Sequence, residues 1–321
     1  MSEANKKVIV ILGPTATGKS DIAVKIAKFF SAQGGSALGG NAEIISADSR
    51  QVYKELNLAS GKITEKEMDG IKHHLLNITD LNNDFSVSIF KDLAIKALNE
   101  IWSKGKIPII CGGTGFYIES IVKNSSIPEV PANKELRKEL SKKSATELFE
   151  ILLKLDPERA KAIDKDNPVR LIRAIEIVKA LGSVPKIKDS VPLADFIKIG
   201  LDLPDDILKA RILKRINDRL DIGMIEEIDN ILKSGISEEK LSSLGLEPRH
   251  ILRFLKKEIT KEQMISDLFK DTWAFAKRQR TWFKRDKDIK WYKATTPVVV
   301  LANAGNQNYI EEIINHIKLF L

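Results

Sequence analysis

The segment VIVILGPTATGKSDIAVKIAKFF, residues 8–30, decides the fold because it joins a strand pattern, a glycine-containing loop and a helix pattern without a break. Its first five residues are apolar and mostly β-branched, and the apolar residues after the loop recur at helical spacing. The two glycines permit a tight turn whose backbone N–H groups can surround anionic oxygens, Lys19 supplies a positive charge, and the Ser20 hydroxyl can hold Mg2+. The pattern predicts a phosphate-binding loop composed of Gly13, Pro14, Thr15, Ala16, Thr17, Gly18, Lys19 and Ser20.

Further apolar segments extend this unit into an α/β fold. Glu43–Ser46 and Ile107–Cys111 have the pattern of buried strands, and Ser86–Ser103 has the pattern of a helix. Continuous apolar strands separated by helices indicate a parallel sheet that is covered on both faces. The glycine- and serine-rich segment Ser31–Gly40 predicts a mobile loop.

A change of pattern after Ser120 predicts an insertion into this fold. Charged, amphipathic helical segments separated by prolines run from Ser125 to Leu181, after which Phe196–Leu203 resumes a strand pattern. The sequence from Pro204 onward is almost entirely helical in pattern. We therefore expect the first part of a phosphate-loop α/β core in residues 1–124, an inserted all-helical domain in 125–200, and completion of the core with basic C-terminal helices in 201–321.

Composition and charge limit the partners and the location. The formal net charge is +8, and residues 249–290 contain 13 Lys or Arg against 6 Asp or Glu. Such a basic segment fits either a polyanionic partner or solvated helix faces. The single cysteine, Cys111, excludes an internal disulfide and a multi-cysteine zinc site. Without an apolar signal core or a run that could span a membrane, we expect a cytoplasmic protein.

Two polar residues follow predicted strands near the phosphate loop. Asp48 comes after the strand Glu43–Ser46, where it could be a metal-water ligand, a turn residue or a general base. Thr114 follows two glycines after the strand Ile107–Cys111, where its hydroxyl could cap a helix or reach a bound base or phosphate. A kinase or ATPase usually has an acid after this second strand, and this chain has glycines there.

The predicted helix Leu208–Leu220 carries Arg211, Arg215 and Arg219 at four-residue spacing beside an apolar stripe. Like charges at this spacing repel one another. The row is therefore explained either by an anion bound between the arginines or by a solvated helix face.

Together these segments resemble a known family. The blocks GPTATGKS, SADSRQVY, HHLLNI, PIICGGTGFYI, NPVRLIRAIEI, RILKRI and AFAKRQRTWF occur in the order found in the tRNA dimethylallyltransferases, also called tRNA isopentenyltransferases, and cover nearly the entire chain. The resemblance implies transfer of the dimethylallyl group from dimethylallyl diphosphate to N6 of the adenine just 3′ of the anticodon, with release of diphosphate and Mg2+ as cofactor. It further implies a bacterial-type enzyme that acts on the anticodon stem-loop of tRNA. We expect a monomer without membrane association.

The resemblance also assigns roles to single residues. It implies that Asp48 is the general base, that Thr114 lies at the target adenine, and that Arg215, followed by Arg211, contacts the diphosphate. The residues that it places on tRNA are Asp48, Ser49, Arg50, Gln51, Thr114, Arg137, Asp166, Asn167, Pro168, Val169 and Arg170. On the last basic helix, Lys277, Arg280 and Lys284 form a face that we predict to contact tRNA phosphates.

The sequence departs from the family pattern in several places. The segment Ser31–Gly40 is longer than usual, Trp273 replaces a common arginine, and Arg219 replaces a common methionine. The segment LGLEPRH, residues 244–250, stands where a Gly-Tyr motif with a following glutamate is usual. These departures concern the docking of tRNA more than catalysis. The alternative functions are a small-molecule kinase that uses ATP and a noncatalytic RNA-binding protein.

Overall fold

Six parallel strands form one sheet in the computed structural model, which describes residues 6–32, 41–186, 189–293 and 307–321. The strands are β1 (Lys7–Leu12), β2 (Ala42–Ala47), β3 (His73–His74), β4 (Ile107–Gly112), β5 (Asp195–Asp202) and β6 (Lys290–Lys293). Their order in the sheet is β3-β2-β4-β1-β5-β6. Nearly every residue of β1, β2 and β4 is buried because helices cover both faces. The predicted α/β fold with a parallel sheet is confirmed.

The helices are α1 (Lys19–Ala32), α2 (Glu65–Met68), α3 (Val87–Ser103), α4 (Gly115–Val122), α5 (Lys134–Leu140), α6 (Ala145–Leu155), α7 (Pro157–Ala162), α8 (Pro168–Leu181), α9 (Asp205–Asp221), α10 (Met224–Lys233), α11 (Glu238–Ser243), α12 (Leu246–Leu255), α13 (Lys261–Phe283) and α14 (Gln307–Phe320). Alternate residues of each strand face opposite sides of the sheet. Ile9 and Ile11 of β1 therefore pack with α1 and α14, whereas Val8 and Val10 pack with α3 and α4. Helices α9–α13 form a further apolar cluster with the loop that follows β2.

The chain divides into two compact units, one composed of Met1–Val122 with Pro192–Leu321 and the other of Lys123–Val191. The second unit contains α5–α8, which pack around a core that includes Leu148 and Leu171. Our predicted end of the insertion, residue 200, is wrong because residues 195–200 belong to β5. These residues pair with β1 from Lys7 to Leu12. The physical reason is that the apolar residues of this segment are buried only within the sheet.

Two further predictions concern the surface of the protein. Ser31 and Ala32 end α1, and residues 33–40 of the predicted mobile loop lie outside the described residues. None of the helices in the described ranges combines the length and the apolar character needed to cross a membrane.

Three strands of the sheet end at one level. Gly112 at the end of β4 pairs with Leu12 of β1 on one side and with Ala47 of β2 on the other. Loops that follow neighbouring parallel strands leave from the same edge of a sheet. The loops that begin at Gly13, Asp48 and Gly113 therefore meet at this edge.

Candidate active site

A cleft of about 1070 Å3 opens at this edge of the sheet. It is lined by the phosphate loop, the loop after β2, the turn after β4 and one side of α9. The lining includes Lys19, Asp48, Thr114 and Arg215. These side chains come from four separate segments, and the fold brings them to one cavity.

The phosphate loop has the tight backbone that its sequence predicts. Gly13 has a φ of 145°, and a Cβ atom there would lie 2.2 Å from the carbonyl oxygen of Leu201 in β5. Only glycine combines this φ with this close approach. Inside the turn, the Nζ of Lys19 and the Oγ1 of Thr17 both donate hydrogen bonds to the carbonyl oxygen of Pro14, at 2.6 and 2.9 Å. The loop is thus closed on itself, with Lys19 and Ser20 lining the cleft.

Burial, together with the neighbouring Arg215, lowers the pKa of the Lys19 ammonium to about 8, although Asp48 opposes the change. Because the Lys19 ammonium is poorly solvated, an anion that enters the cleft would give it a partner of opposite charge. The adjacent Cys111 behaves differently: burial raises the pKa of its thiol to about 12, so it stays protonated. This agrees with a structural thiol.

The arginine row of α9 lies along the same cleft, since Arg211, Arg215 and Arg219 all line it. The Nη2 of Arg215 donates a hydrogen bond to the Oγ1 of Thr15 at 2.6 Å, which ties the row to the phosphate loop. Burial, followed by the proximity of Arg219, lowers the pKa of the Arg215 guanidinium to about 9. The three arginines are half-buried rather than exposed, which favours an anion bound between them over a solvated helix face.

The two neighbours of Arg215 differ in their partners. The Nη1 of Arg211 is buried and has no hydrogen-bond partner among the described residues. Arg219 lies 3.7 Å from the Oε1 of Glu247 and packs against Gly61, where an added Cβ atom would be 1.7 Å from its Nη2. Burial lowers the pKa of both guanidinium groups. Both arginines have an acidic neighbour, Asp21 for Arg211 and Glu247 for Arg219. The buried Nη1 of Arg211 nevertheless lacks an acceptor, which a bound ligand could supply.

Asp48 and Thr114 lie on adjacent loops that line the same cleft. The Oδ1 of Asp48 accepts hydrogen bonds from the N–H groups of Arg50 and Gln51, at 2.8 and 3.4 Å. Its Oδ2 accepts none from the described residues, which leaves this oxygen available for a proton. The Oγ1 of Thr114 accepts a hydrogen bond from the N–H of Ser49 at 3.1 Å. Thr114 thus precedes α4 but uses its hydroxyl to join the Asp48 loop, and does not cap the helix.

The wall of the cleft depends on a residue that the sequence did not single out. Glu227 of α10 accepts hydrogen bonds at its carboxylate from three consecutive N–H groups, those of Asn57, Leu58 and Ala59, at 2.8–3.0 Å. This holds residues 57–61 against the cleft, where the carbonyl oxygen of Gly61 accepts a hydrogen bond from Gln51. A long-range contact of this kind has no local signal in a sequence.

The predicted tRNA residues on the first unit fall into two groups. Ser49, Arg50 and Gln51 line the cleft, and the Nη2 of Arg50 also donates to the carbonyl oxygen of Ser243. Lys277 and Lys284 are exposed on α13 and at its end.

Arg280 requires a correction. It donates to Asp202 at 2.9 Å and to Asp205 at 2.7 Å, and its side chain is only 16% exposed. Its charge is neutralised within the fold, so the predicted phosphate contact at Arg280 is not supported.

The predicted tRNA residues of the second unit surround the start of α8. Asn167 caps this helix by accepting a hydrogen bond from the N–H of Arg170, and Pro168 occupies its first turn. Asp166, Val169 and Arg170 are exposed there. Arg137 donates two hydrogen bonds to the buried carboxylate of Glu176, although its side chain remains 46% exposed. Two donor groups of this guanidinium are thus already occupied by a buried carboxylate of the same unit.

His73 and His74, the histidine pair of the HHLLNI block, form β3. The Nε2 of His74 is 2.6 Å from the buried Oε2 of Glu43, a carboxylate that also accepts from Lys106. Glu43, His74 and Glu100 are close enough to hold a metal ion. Lysines already neutralise this cluster, which agrees with a structural role.

The fold and the cleft define a phosphate-loop α/β protein in which half-buried cations, a carboxylate and a threonine line one cavity, the arrangement of a group-transfer enzyme. The chain belongs to the IPP transferase family, whose model matches residues 51–286. It is 35% identical to a tRNA dimethylallyltransferase of Acetivibrio thermocellus over 98% of this chain and 97% of that protein. It is 40% identical to a tRNA dimethylallyltransferase 2 of Treponema denticola over 86% and 91% of the two chains.

Solved structures give the same result. The crystal structure of the tRNA isopentenylpyrophosphate transferase of Bacillus halodurans matches with a TM-score of 0.71 at 32% identity, covering 98% of this chain and 96% of that one. A eukaryotic dimethylallyltransferase crystallised while acting on tRNA matches with a TM-score of 0.78 at 25% identity, over 96% and 78% of the two chains. The resemblance inferred from the sequence blocks is confirmed.

Proposed function

We propose that this chain is a tRNA dimethylallyltransferase that transfers the dimethylallyl group of dimethylallyl diphosphate to N6 of the adenine 3′-adjacent to the anticodon. The observation that carries this proposal is the composition of the cleft. Lys19, Arg211 and Arg215 are half-buried and give the cleft a cationic lining that suits a diphosphate, and Asp48 and Thr114 line the same cleft. Family membership favours this reaction over the ATP-dependent kinase and the noncatalytic RNA-binding protein.

In this reaction the N6 lone pair of adenine forms a bond to C1 of the dimethylallyl group while the bond from C1 to the diphosphate oxygen breaks. The electron pair of the broken bond leaves with the diphosphate, and the new C–N bond makes the N6 proton acidic. Asp48, with its free Oδ2, takes this proton. The Thr114 hydroxyl, held by Ser49, lies at the turn where the adenine would be oriented.

The departing diphosphate gains negative charge, which fixed cations stabilise more strongly than water does because they need no reorganisation. Arg215 and Lys19 are such fixed cations. The hydrogen bond from Arg215 to Thr15 and the one from Lys19 to Pro14 hold both side chains at the phosphate loop. The unpartnered Nη1 of Arg211 would gain its missing acceptor from a phosphate oxygen.

The donor set of the cleft also suits Mg2+. Mg2+ prefers oxygen ligands and usually binds through one or two protein groups together with substrate phosphates and water. Ser20, in the first turn of α1, supplies a hydroxyl to the cleft and would hold the ion. When bound, the ion would neutralise diphosphate charge. The tRNA anticodon stem-loop as partner, a monomeric state and a cytoplasmic location remain predictions.

The function is tested by incubating the protein with unmodified tRNA and Mg2+ and with either radiolabelled dimethylallyl diphosphate or radiolabelled ATP. We expect label to enter tRNA only from the dimethylallyl donor, and nuclease digestion should place it on one adenosine. The Asp48→Asn variant serves as a matched control for label that binds without transfer. Label from ATP, or none from either donor with folded protein, would contradict the proposal.

A further inference from the structure

One buried amide joins two neighbouring loops that line the cleft, the phosphate loop and the turn after β4. Gln279 of α13 is 7% exposed. Its Oε1 accepts a hydrogen bond from the N–H of Thr15 at 2.8 Å, and its Nε2 donates one to the carbonyl oxygen of Gly113, also at 2.8 Å. A single side chain thus bridges the phosphate loop and the turn after β4.

The contacts on either side of Gln279 extend this link across the whole site. On the cationic side, Thr15 also accepts the hydrogen bond from Arg215. On the polar side, Gly113 precedes Thr114, whose hydroxyl holds the N–H of Ser49. From Arg215 to the loop of Asp48, every step is therefore a hydrogen bond or a short stretch of chain. Gln279 is the side-chain step between the phosphate loop and the turn after β4, beyond the point where the pairing of β1 with β4 ends.

The shape of the turn leaves room for this amide and for little else. A Cβ atom added at Gly113 would lie 2.5 Å from the Nε2 of Gln279, whereas its next contacts would be 3.6 Å away. The only group that an alanine at 113 displaces is therefore the Gln279 amide. Two separate substitutions, at 113 and at 279, perturb the same contact from opposite sides.

We propose that Gln279 is a positioning residue that fixes the distance between the diphosphate-binding loop and the turn of Thr114. It touches neither substrate in this scheme. It holds the loop that binds the donor and the turn that orients the acceptor, so that C1 and N6 meet in line. This role rests on the proposed function, because it concerns the relative placement of that reaction's two substrates. Displacements of about 1 Å in such an arrangement can cost on the order of 100-fold in rate.

A positioning role and a merely stabilising role differ in their consequences. If Gln279 only stabilised the fold, its loss would lower the unfolding temperature and leave the turnover of the folded protein unchanged. If it positions the two loops, its loss lowers kcat with little change in KM for either substrate. The hydrogen bonds of both Thr15 and Ser49 should also weaken, although Ser49 lies beyond the direct contacts of Gln279.

The test uses Gln279→Ala, Gly113→Ala and the double variant. The matched control is Gln263→Ala, because Gln263 lies on the same helix and its exposed amide donates only to Asp267. We expect each single variant to lower kcat roughly tenfold, as for the loss of one buried hydrogen-bonded pair that supports a site. The double variant should be no slower than Gln279→Ala, because alanine at 113 then fills vacant space. The control should match the parent.

Amide hydrogen exchange of the ligand-free proteins gives a second readout that does not require transfer. In Gln279→Ala and Gly113→Ala, but not in the control, the N–H groups of Thr15 and Ser49 should both exchange several-fold faster. Unchanged exchange at Ser49 would overturn the proposal, as would roughly 100-fold slower turnover of the double variant, which marks independent effects. If the parent protein transfers no label, the proposed function fails, and the exchange arm alone still decides whether Gln279 connects the two loops.

Discussion

Replacing Arg215 with methionine should stabilise the ligand-free protein and at the same time slow the reaction. Methionine keeps much of the length of the side chain and removes the charge. In the ligand-free protein that charge is costly, because burial and the neighbouring Arg219 both disfavour it. During the reaction the same charge faces the departing diphosphate.

The structure supplies the magnitudes. A change in the Arg215 pKa from 12.5 to about 9 corresponds to roughly 5 kcal/mol against the charged form. The guanidinium still reaches the cleft, where water screens it, and methionine loses the hydrogen bond to Thr15. We therefore expect a net gain of about 1–2 kcal/mol in the free energy of unfolding, within the range seen when buried charges are replaced by apolar groups. Removing one donor to a developing anion typically slows a reaction by about 10²–10³-fold.

Two measurements on one preparation test this prediction. Urea unfolding without ligands gives the free energy of unfolding, and single-turnover transfer with excess enzyme gives the rate of the chemical step. Arg253→Met is the control, since the Arg253 side chain is 42% exposed and has only ion pairs of 3.6–3.8 Å. It should change neither quantity by a large amount. A loss of stability in Arg215→Met, or transfer at the parental rate, would refute the reasoning.

Three further predictions follow from the same site. Asp48→Asn should lower the transfer rate by at least roughly 10²-fold while tRNA affinity stays within about twofold, and near-normal turnover would remove Asp48 from the role of base. Since Lys19 binds the anion in its charged form, the affinity for a nonhydrolysable dimethylallyl diphosphate analogue should fall as the pH rises through about 8. In Lys19→Arg the decline should begin only at a higher pH, where the Arg215 guanidinium with its pKa of about 9 loses its proton, and an equal decline in both proteins would assign the pH dependence elsewhere. Neutralising Lys277 and Lys284 should reduce the salt dependence of tRNA binding by about two counterions, whereas Arg280→Gln should leave that dependence unchanged and lower stability, because it breaks the pair with Asp202. Parallel salt slopes for the lysine variant and the parent would show that this face is only solvated.

Local patterns in the sequence were sufficient to predict the centre of the fold. The strand, loop and helix at residues 8–30 are each specified by neighbouring residues, and the structure has them as β1, the phosphate loop and α1. The end of the insertion was misplaced although the strand pattern that begins at Phe196 was recognised, because the boundary was drawn inside that strand. Residues 195–200 pair with β1, which is distant in sequence, and a local pattern carries no information on this pairing.

Site residues were predictable where the type of side chain itself indicates the chemistry, as for the cation of Lys19 and the carboxylate of Asp48. It was not predictable where a side chain acts through a distant partner. Gln279 contacts Thr15 across 264 positions of sequence, and Glu227 holds a loop about 170 positions away. The same limit produced the error at Arg280, whose basic character was evident but whose acidic partners lie on another segment.

The position of β1 in the middle of the sheet has a consequence for synthesis on the ribosome. Leu12 pairs with Gly200, so one edge of this apolar strand stays open until about 190 further residues have been made. At roughly 5–20 residues per second, this interval lasts on the order of 10–40 s. An unpaired apolar edge is a template for association with other chains. A nascent chain that stalls before β5 already contains the whole phosphate-loop sequence, yet it should be a target for chaperones or a seed for aggregation rather than a binder of diphosphate.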